Sequence, residues 1–249
     1  MSDVVIVTGA STGIGAATAR LLGSQGASVV VNYNSSTEAA EGVVAEVKAL
    51  GGKAIAVKAN MGSQADIVRM FAETDAAFGP VTGLVNNAAT NTTHRKIETY
   101  DFDEVMGVLA VNTAGLLICC REAVKRMSTK NGGKGGAIVN VSSIGALTGS
   151  PGRFIHYAGS KGAVDSMTLG IANEVARCGI RVNAIRPGMV DTPIHAKTGQ
   201  ADRMADAALA TPLGRAGRPE EVAESIAWLL SDKASLVTGA ILNVMGAQR

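Results

Sequence analysis

The residues of this sequence that most directly suggest chemistry are Tyr157 and Lys161, in the stretch HYAGSKGAV. Two residues four apart share one face of a helix, so the Lys161 ammonium is expected beside the Tyr157 phenol. A neighbouring cation favours the phenolate, which predicts a pKa for Tyr157 below its ordinary value of about 10. An acid with a pKa nearer neutrality suits proton-transfer catalysis. A surface pair without chemistry is the alternative that this stretch alone leaves open.

A glycine-rich segment, TGASTGIG (8–15), lies between a predicted strand and a predicted helix. Gly9, Gly13 and Gly15 would let the chain turn tightly and let a phosphate come close to the backbone. The free N–H groups and the positive dipole end of the following helix also favour a phosphate. The spacing alone is a weak signal in a chain with 30 glycines. Its place between a strand and a helix favours a phosphate or pyrophosphate site over a turn with only a packing role.

The end of the second predicted strand bears on which dinucleotide such a site would prefer. The segment Asn32-Tyr33-Asn34-Ser35-Ser36 contains no carboxylate, and the first one after it is Glu38. An acidic residue here would bind the free 2′-hydroxyl of NAD and repel the 2′-phosphate of NADP. The sequence therefore favours NADP, with NAD as the alternative. No arginine stands there, so a phosphate would be held by hydroxyls and amides, those of Thr12, Asn32, Ser35 and Ser36.

Short β-branched runs alternate with longer helical stretches along the whole chain. The strands lack polar alternation, which is typical of strands buried on both faces. Strands that alternate with helices predict right-handed crossovers and a parallel sheet. We therefore expect an α/β fold, a single doubly wound (Rossmann-type) domain over 1–249 with a seven-stranded, mostly parallel sheet flanked by helices. Strands are predicted at 4–7, 28–32, 54–58, 83–87, 137–143, 180–188 and 240–244, and helices at 13–26, 36–52, 64–78, 101–128, 156–178 and 219–231.

A long stretch, 191–212, follows the sixth predicted strand. Ligands of doubly wound sheets bind at the carboxyl ends of the strands. We interpret this stretch as a lid over the substrate. A surface insertion without a role in binding is the alternative.

The composition excludes several classes of protein. A net charge of +2 without a run of like charge argues against a nucleic-acid or membrane surface. The three cysteines, two of them adjacent, form no disulfide framework and suit a reducing cytoplasm. Without a C-x-x-C motif we expect no metal site. No signal-peptide pattern and no apolar run of about 18 residues is found, so no membrane span is expected.

Six motifs occur in one order along the chain: TGASTGIG, NNAA (86–89), Asn112, NVSS (140–143), Tyr157-x-x-x-Lys161 and RPG (186–188). With these motifs the chain resembles the short-chain dehydrogenases/reductases over essentially its whole length. Within that family it is similar to the 3-oxoacyl-carrier-protein reductase and glucose 1-dehydrogenase branches. The resemblance implies hydride transfer between NAD(P) and a small-molecule carbonyl or secondary alcohol, carried out by a homotetramer.

The resemblance also implies a catalytic tetrad of Asn112, Ser143, Tyr157 and Lys161. Tyr157 would donate the proton, and Ser143 would hydrogen-bond the same substrate oxygen. Lys161 would lower the pKa of Tyr157 and bind the nicotinamide ribose. Asn112 would hold a water that links Lys161 to solvent. Ser143 is chosen over Ser142 because it matches the second serine after the strand in the family.

The cofactor contacts that the resemblance implies follow the strand ends. Asn60 and Met61 would lie by the adenine, and Asn87, Ala88 and Ala89 would run along the ribose. The nicotinamide would be held by Pro187, Gly188, Val190 and Thr192. Ala89 departs from the family pattern, which has glycine there, so a weaker cofactor affinity is expected. The full set is Gly9, Ser11, Thr12, Gly13, Ile14, Gly15, Asn32, Tyr33, Asn34, Ser35, Asn60, Met61, Asn87, Ala88, Ala89, Tyr157, Lys161, Pro187, Gly188, Val190 and Thr192.

Other functions remain open at this point. One is a sugar dehydrogenase of the glucose type that uses NAD or NADP, and another is a nucleotide-binding regulator without turnover. A relative of nucleotide-sugar epimerases shares the Tyr–Lys pair, but such enzymes usually have a larger C-terminal domain, for which the sequence leaves no room. The sequence does not select a substrate among these.

Overall fold

The computed structural model describes residues 3–192 and 211–248, so the predicted lid at 191–212 lies almost entirely outside the described residues. Seven strands form one sheet in the order β3-β2-β1-β4-β5-β6-β7, and all six neighbouring pairs are parallel. The doubly wound fold predicted from the sequence is therefore confirmed. The strands are β1 Val4–Val7, β2 Ser28–Tyr33, β3 Lys53–Lys58, β4 Gly83–Asn86, β5 Gly136–Val141, β6 Ile180–Pro187 and β7 Ile241–Val244.

Helices cover both faces of this sheet. Among the described residues they are α1 Gly13–Ser24, α2 Thr37–Ala49, α3 Gln64–Phe78, α4 Phe102–Leu109, α5 Leu116–Met127, α6 Gly145–Thr148, α7 Ile155–Val175 and α8 Pro219–Leu230. Successive strand residues alternate between two apolar clusters: Val5 and Val7 pack with α1, α2 and α8, whereas Ile6 packs with α3, α5 and α7. The strands are continuously apolar because each face meets a helical layer.

The helix predicted over 101–128 is interrupted by a π-helical segment, Ala110–Gly115. A Cβ at Gly115 would clash with the Met61 carbonyl oxygen, so the helix touches the loop after β3 there. Such π segments occur often at functional sites, and this one carries Asn112.

Among the described residues, one helical stretch, Phe102–Met127, is long and apolar enough to span a membrane by length and composition. The stretch is not a continuous apolar run, since it contains polar residues such as Asn112, and core helices of soluble proteins also pass this test. One face of the stretch packs in the core through Leu116, Cys119 and Met127. Three large apolar side chains of the stretch, those of Phe102, Met106 and Leu117, are exposed in the single chain.

Candidate active site

The turn after β1 forms one half of the crevice that is predicted to hold the cofactor, at the point where the strand order reverses direction. Gly9 and Gly13 have left-handed backbone angles, with φ of 62° and 57°, which glycine adopts without strain. A Cβ at Gly9 would lie 2.8 Å from the Cα of Ala88, and one at Gly15 would lie 2.5 Å from Nδ2 of Asn87. These glycines therefore permit both the turn and its close packing against the loop after β4.

The start of α1 points backbone donors into this crevice. Its N-cap residue, Thr12, makes no side-chain capping hydrogen bond. The first N–H groups of a helix have no partner within it. The glycine turn and these N–H groups fit the pyrophosphate of a dinucleotide, as the sequence predicts.

Thr8 and Asn87 join the turn after β1 to the loop after β4. Oγ1 of Thr8 accepts hydrogen bonds at 3.0 Å from the N–H groups of Asn87 and Ala88. Nδ2 of Asn87 donates to the carbonyls of Thr8 and Gly9, at 2.9 and 3.0 Å. The Asn87 amide group thus holds the glycine turn, which leaves Oδ1 and the backbone carbonyl of this residue for the predicted ribose contact.

Asn32 has a different role from the predicted phosphate contact. Its side chain is 1% exposed. Oδ1 accepts from the N–H of Gly9 at 3.0 Å, and Nδ2 donates to the carbonyls of Val57 and Ala59 at 3.3 and 3.1 Å. Asn32 therefore shapes the glycine turn, because its polar atoms are all engaged with backbone groups.

The next residues divide between core and surface. Tyr33 is 9% exposed and packs in the apolar cluster on the α1 side of the sheet. Asn34 and Ser35 are exposed at the strand end. Of the predicted phosphate contacts, Thr12 and Ser35 are exposed and Ser36 is half-buried, so these three side chains stay available to a ligand, whereas Asn32 does not.

The two residues predicted to lie by the adenine, Asn60 and Met61, differ in exposure. Asn60 is exposed, and its Oδ1 accepts from the N–H of Gly62 at 2.9 Å. The Met61 side chain is buried, with its sulfur 3.7 Å from the Cys119 sulfur. Met61 can therefore meet a cofactor only through its backbone.

Ala89 introduces no backbone strain where the family pattern has glycine. Outside glycine, the described residues with left-handed φ are Ser150 and Ala247. Ala89 is thus in an ordinary conformation, and its methyl group is half-buried. The expected loss of cofactor affinity rests on this added methyl group where the backbone passes the cofactor, and it stays a prediction.

The loop after β6 is held by the chain's C-terminal part. The N–H of Gly188 donates to the Val244 carbonyl at 3.0 Å, and a Cβ at Gly188 would lie 2.7 Å from that of Met245. Val190 forms an isolated bridge with Gly217. The predicted nicotinamide contacts Pro187, Gly188, Val190 and Thr192 therefore lie on a braced loop, up to the end of the first described range.

The predicted tetrad meets where β5 ends and α7 begins. Lys161 and Tyr157 lie one turn apart on α7, and Nζ of Lys161 is 5.7 Å from the centroid of the Tyr157 ring. The Ser143 hydroxyl hydrogen-bonds the Tyr157 phenol. Ser142 instead is buried and donates to the Lys161 carbonyl at 3.2 Å. This arrangement favours Ser143 as the serine that faces the substrate.

The electrostatics of the pair differ from the prediction. Burial raises the pKa of Tyr157 above its ordinary value, and the Ser143 hydrogen bond opposes this rise. Burial also lowers the pKa of Lys161 to about 8, against the effect of Asp165. The prediction that Tyr157 has a lowered pKa is wrong for this structure, because the loss of solvent outweighs the Ser143 hydrogen bond.

Asn112 reaches the tetrad through a hydroxyl group. Its Oδ1 accepts from the N–H of Thr90 at 2.8 Å, and its Nδ2 donates to the Thr90 carbonyl at 3.0 Å and to Oγ of Ser160 at 3.1 Å. Ser160 in turn donates to the Tyr157 carbonyl at 2.7 Å. Asn112 thus ties the π segment, the loop after β4 and α7 together.

Several supporting residues were not predicted from the sequence. Thr90 and Ser160 hold Asn112, as described above. Asp165 pairs with Arg186 of β6 at 2.9 Å and opposes the lowering of the Lys161 pKa. The one available signal was spacing, since Ser160 and Asp165 lie three residues after Tyr157 and four after Lys161. Over residues 3–192 and 211–248, no group of three or more His, Cys, Asp or Glu side chains is placed to hold a metal ion.

Comparisons with known proteins agree on one family. The family model described as "Enoyl-(Acyl carrier protein) reductase" matches residues 9–246. The chain is 46% identical over 245 residues to "Uncharacterized oxidoreductase YgfF" of Escherichia coli (strain K12), covering 98% of this chain and 99% of that protein. It is 37% identical over 246 residues to a 3-oxoacyl-[acyl-carrier-protein] reductase of Synechocystis sp., and the match covers 98% of this chain and 96% of that protein. A solved structure of a Serratia marcescens short-chain dehydrogenase/reductase mutant has a TM-score of 0.90 and 32% identity, covering 98% and 96%.

Proposed function

The chain belongs to the short-chain dehydrogenase/reductase family, and from this we propose that it transfers a hydride between NAD(P) and a carbonyl or secondary alcohol with Tyr157 as general acid and base. The observation that carries the proposal is the convergence of Ser143, Tyr157 and Lys161 at the carboxyl end of β5. This end of the sheet is where doubly wound folds bind their ligands.

The roles follow from the chemistry of each side chain. NAD(P), when bound, supplies or accepts the hydride. In the reducing direction the substrate oxygen gains negative charge and takes the proton of the Tyr157 phenol. The Ser143 hydroxyl is placed to donate to the same oxygen, which stabilises the developing charge. In the oxidising direction Tyr157 accepts the proton from the alcohol.

Lys161 supports the proton transfer from its buried position. Its ammonium lies over the Tyr157 ring and favours the phenolate that forms when the proton leaves. With a pKa of about 8 it is mostly charged at neutral pH. Asn112, through Ser160, fixes the turn of α7 that carries both residues.

We propose NADP as the preferred cofactor. The exposed Asn34 and Ser35 follow β2, and no carboxylate lies between β2 and Glu38. The N-cap of α2, Ser36, makes no side-chain capping bond, so backbone donors of that helix start are available to a phosphate. These neutral groups would hold a 2′-phosphate less firmly than an arginine would, so binding of NAD is also expected.

A homotetramer in the cytoplasm is part of the same proposal. The exposed apolar residues Phe102, Met106 and Leu117 of the α4–α5 stretch, with Leu169 of α7, support a subunit contact there. The cysteines at 119, 120 and 178 are buried free thiols, as suits a reducing compartment.

Titration of the purified chain with NADPH and NADH, followed by nicotinamide fluorescence, tests the cofactor. Turnover is then measured with ethyl acetoacetate and NADPH, and with glucose and NADP or NAD. Turnover of the ketoester supports the carbonyl reductase, whereas turnover of glucose alone favours the sugar dehydrogenase. Nucleotide binding without any turnover would favour the regulator, and binding of neither nucleotide would overturn the proposal.

A further inference from the structure

His156, directly before Tyr157, is hydrogen-bonded through both ring nitrogens. Its Nδ1 lies 3.0 Å from Oη of Tyr100, and its Nε2 lies 3.0 Å from Oγ1 of Thr92. The side chain is 8% exposed. Both partners belong to the segment between β4 and α4, so the imidazole joins this segment to the first turn of α7.

The direction of the Thr92 bond follows from what its other neighbours can do. The hydroxyl of Thr92 has one proton, and it lies 3.3 Å from the Thr93 carbonyl and hydrogen-bonds the Glu104 carboxylate. Both of these groups accept only. A hydrogen bond from Thr92 to the ionised Glu104 carboxylate is stronger than one to a neutral imidazole nitrogen, so Thr92 keeps its proton on that side and receives the proton on Nε2 of His156.

The Tyr100 bond completes the assignment. Oη of Tyr100 accepts the N–H of Ile155 at 2.9 Å, which leaves its own proton for Nδ1 of His156. A neutral imidazole with its proton on Nε2 thus satisfies every contact. An imidazolium would direct an N–H at Tyr100 and remove the acceptor of the Tyr100 proton.

We propose that His156 is a positioning residue for Tyr157: in its neutral Nε2–H form it fastens the first turn of α7 to Tyr100 and Thr92, and its protonation breaks this link. The inference rests on the proposed function, because it takes Tyr157 as the proton donor.

The charges around the imidazole favour the neutral form. Burial lowers the pKa of His156 below 6.5, Arg95 acts in the same direction, and Glu104 opposes both. Arg95 and Glu104 also pair with each other, at 3.1 Å. These two ions, with the Tyr100 phenol, are the titratable groups that face His156 from the segment after β4 and from α4. The link is therefore intact at pH 7 and is lost as the pH falls through the His156 pKa.

Nuclear magnetic resonance tests the tautomer and the hydrogen bonds of His156 without an activity assay. The chain has three tyrosines and three histidines, so ¹³Cζ-tyrosine and ring-¹⁵N-histidine labels give few signals. We expect His156 as the Nε2–H tautomer at pH 7.5, with a midpoint below 6.5. H156A and Y100F are expected to move the Tyr157 signal and its ionisation midpoint. H94Q is the matched control, since His94 is an exposed histidine in the same segment between β4 and α4. Its ring centroid lies 4.6 Å from that of Phe154, which precedes α7.

Conservative variants separate positioning from simple stability. The Asn oxygen of H156N can accept from Tyr100 in place of Nδ1, and the Gln amide of H156Q can donate to Thr92 in place of Nε2, while neither side chain titrates. With ethyl acetoacetate and NADPH, H156N is expected to keep most of kcat at pH 7.5 and to lose the decline of kcat below pH 6.5. H156A is expected to lose kcat by about tenfold or more, with unchanged NADPH affinity.

Two results would overturn the inference. One is a His156 that is an imidazolium or an Nδ1–H tautomer at pH 7.5. The other is a Tyr157 signal and midpoint that are unchanged in Y100F and in folded H156A, H156N or H156Q. If wild-type protein turns over no substrate, the proposed function fails. The resonance measurements still decide the tautomer of His156 and its link to Tyr157.

Discussion

Nζ of Lys161 donates a 2.7 Å hydrogen bond to the carbonyl of Val141, the last residue of β5. In return, the hydroxyl of Ser142, the next residue, donates to the Lys161 carbonyl at 3.2 Å. The two bonds fix α7 to the strand end from which Ser143 extends. They also explain how a lysine that is 2% exposed is kept in place, since a buried ammonium needs an acceptor.

This buried lysine makes stability depend on pH. Its pKa falls from 10.5 in the unfolded chain to about 8 in the folded one. Between these values the unfolded state binds more protons, so stability rises with pH across the window of about 8 to 10.5. K161M removes this titration. We expect the unfolding free energy of wild type minus that of K161M to rise by about 3 kcal/mol over the window. Urea unfolding at a series of pH values measures this, and a constant difference would contradict it.

Tyr157→Phe should abolish most turnover, because it removes the proton donor and leaves the ring in place. We expect kcat to fall by about 100-fold or more, with NADPH affinity within about threefold of wild type. Steady-state kinetics and a fluorescence titration on the same preparation measure both quantities. A variant with wild-type kcat would rule out Tyr157 as the proton donor.

Asn34→Asp should shift the cofactor preference toward NADH. The residue is exposed at the end of β2, where a carboxylate would repel a 2′-phosphate and accept a bond from a 2′-hydroxyl. We expect the ratio of the NADPH to the NADH dissociation constant to rise by about tenfold, or about 1.4 kcal/mol. Asn34→Ser is the neutral control. An unchanged ratio in Asn34→Asp would refute this placement of the phosphate.

Asn32→Ala should weaken both nucleotides alike, because Asn32 holds the glycine turn from beneath. Its removal leaves the N–H of Gly9 and the carbonyl of Ala59 without their partner. A cost of about 2–4 kcal/mol in unfolding free energy is expected from these buried groups. Thermal unfolding and the two titrations check this. A selective loss of NADPH binding would instead return Asn32 to the role of a phosphate contact.

Leu117→Asp should dissociate the proposed tetramer. Leu117 is 44% exposed on the apolar face of the α4–α5 stretch, and a charge there would be desolvated in a subunit contact. Light scattering after size-exclusion chromatography gives the mass of each species. Leu50→Asp, at the exposed end of α2, is the control and should remain assembled. A wild-type protein that elutes as a monomer would refute the tetramer itself.

The sequence by itself determined the fold and the identity of the central pair. The alternation of apolar runs with helical stretches is a local pattern, and it predicted all seven strands to within about two residues. The four-residue spacing of Tyr157 and Lys161 placed them on one helix face because helix geometry is also local.

Only the tertiary structure decided what surrounds these residues. The rise of the Tyr157 pKa, the engagement of Asn32 beneath Gly9 and the bonds of His156 to Tyr100 and Thr92 depend on groups distant in the chain. Burial and hydrogen bonding at such sites arise from how strands and helices pack. No periodicity or spacing along the chain encodes them, because the partners come together only when the sheet has formed.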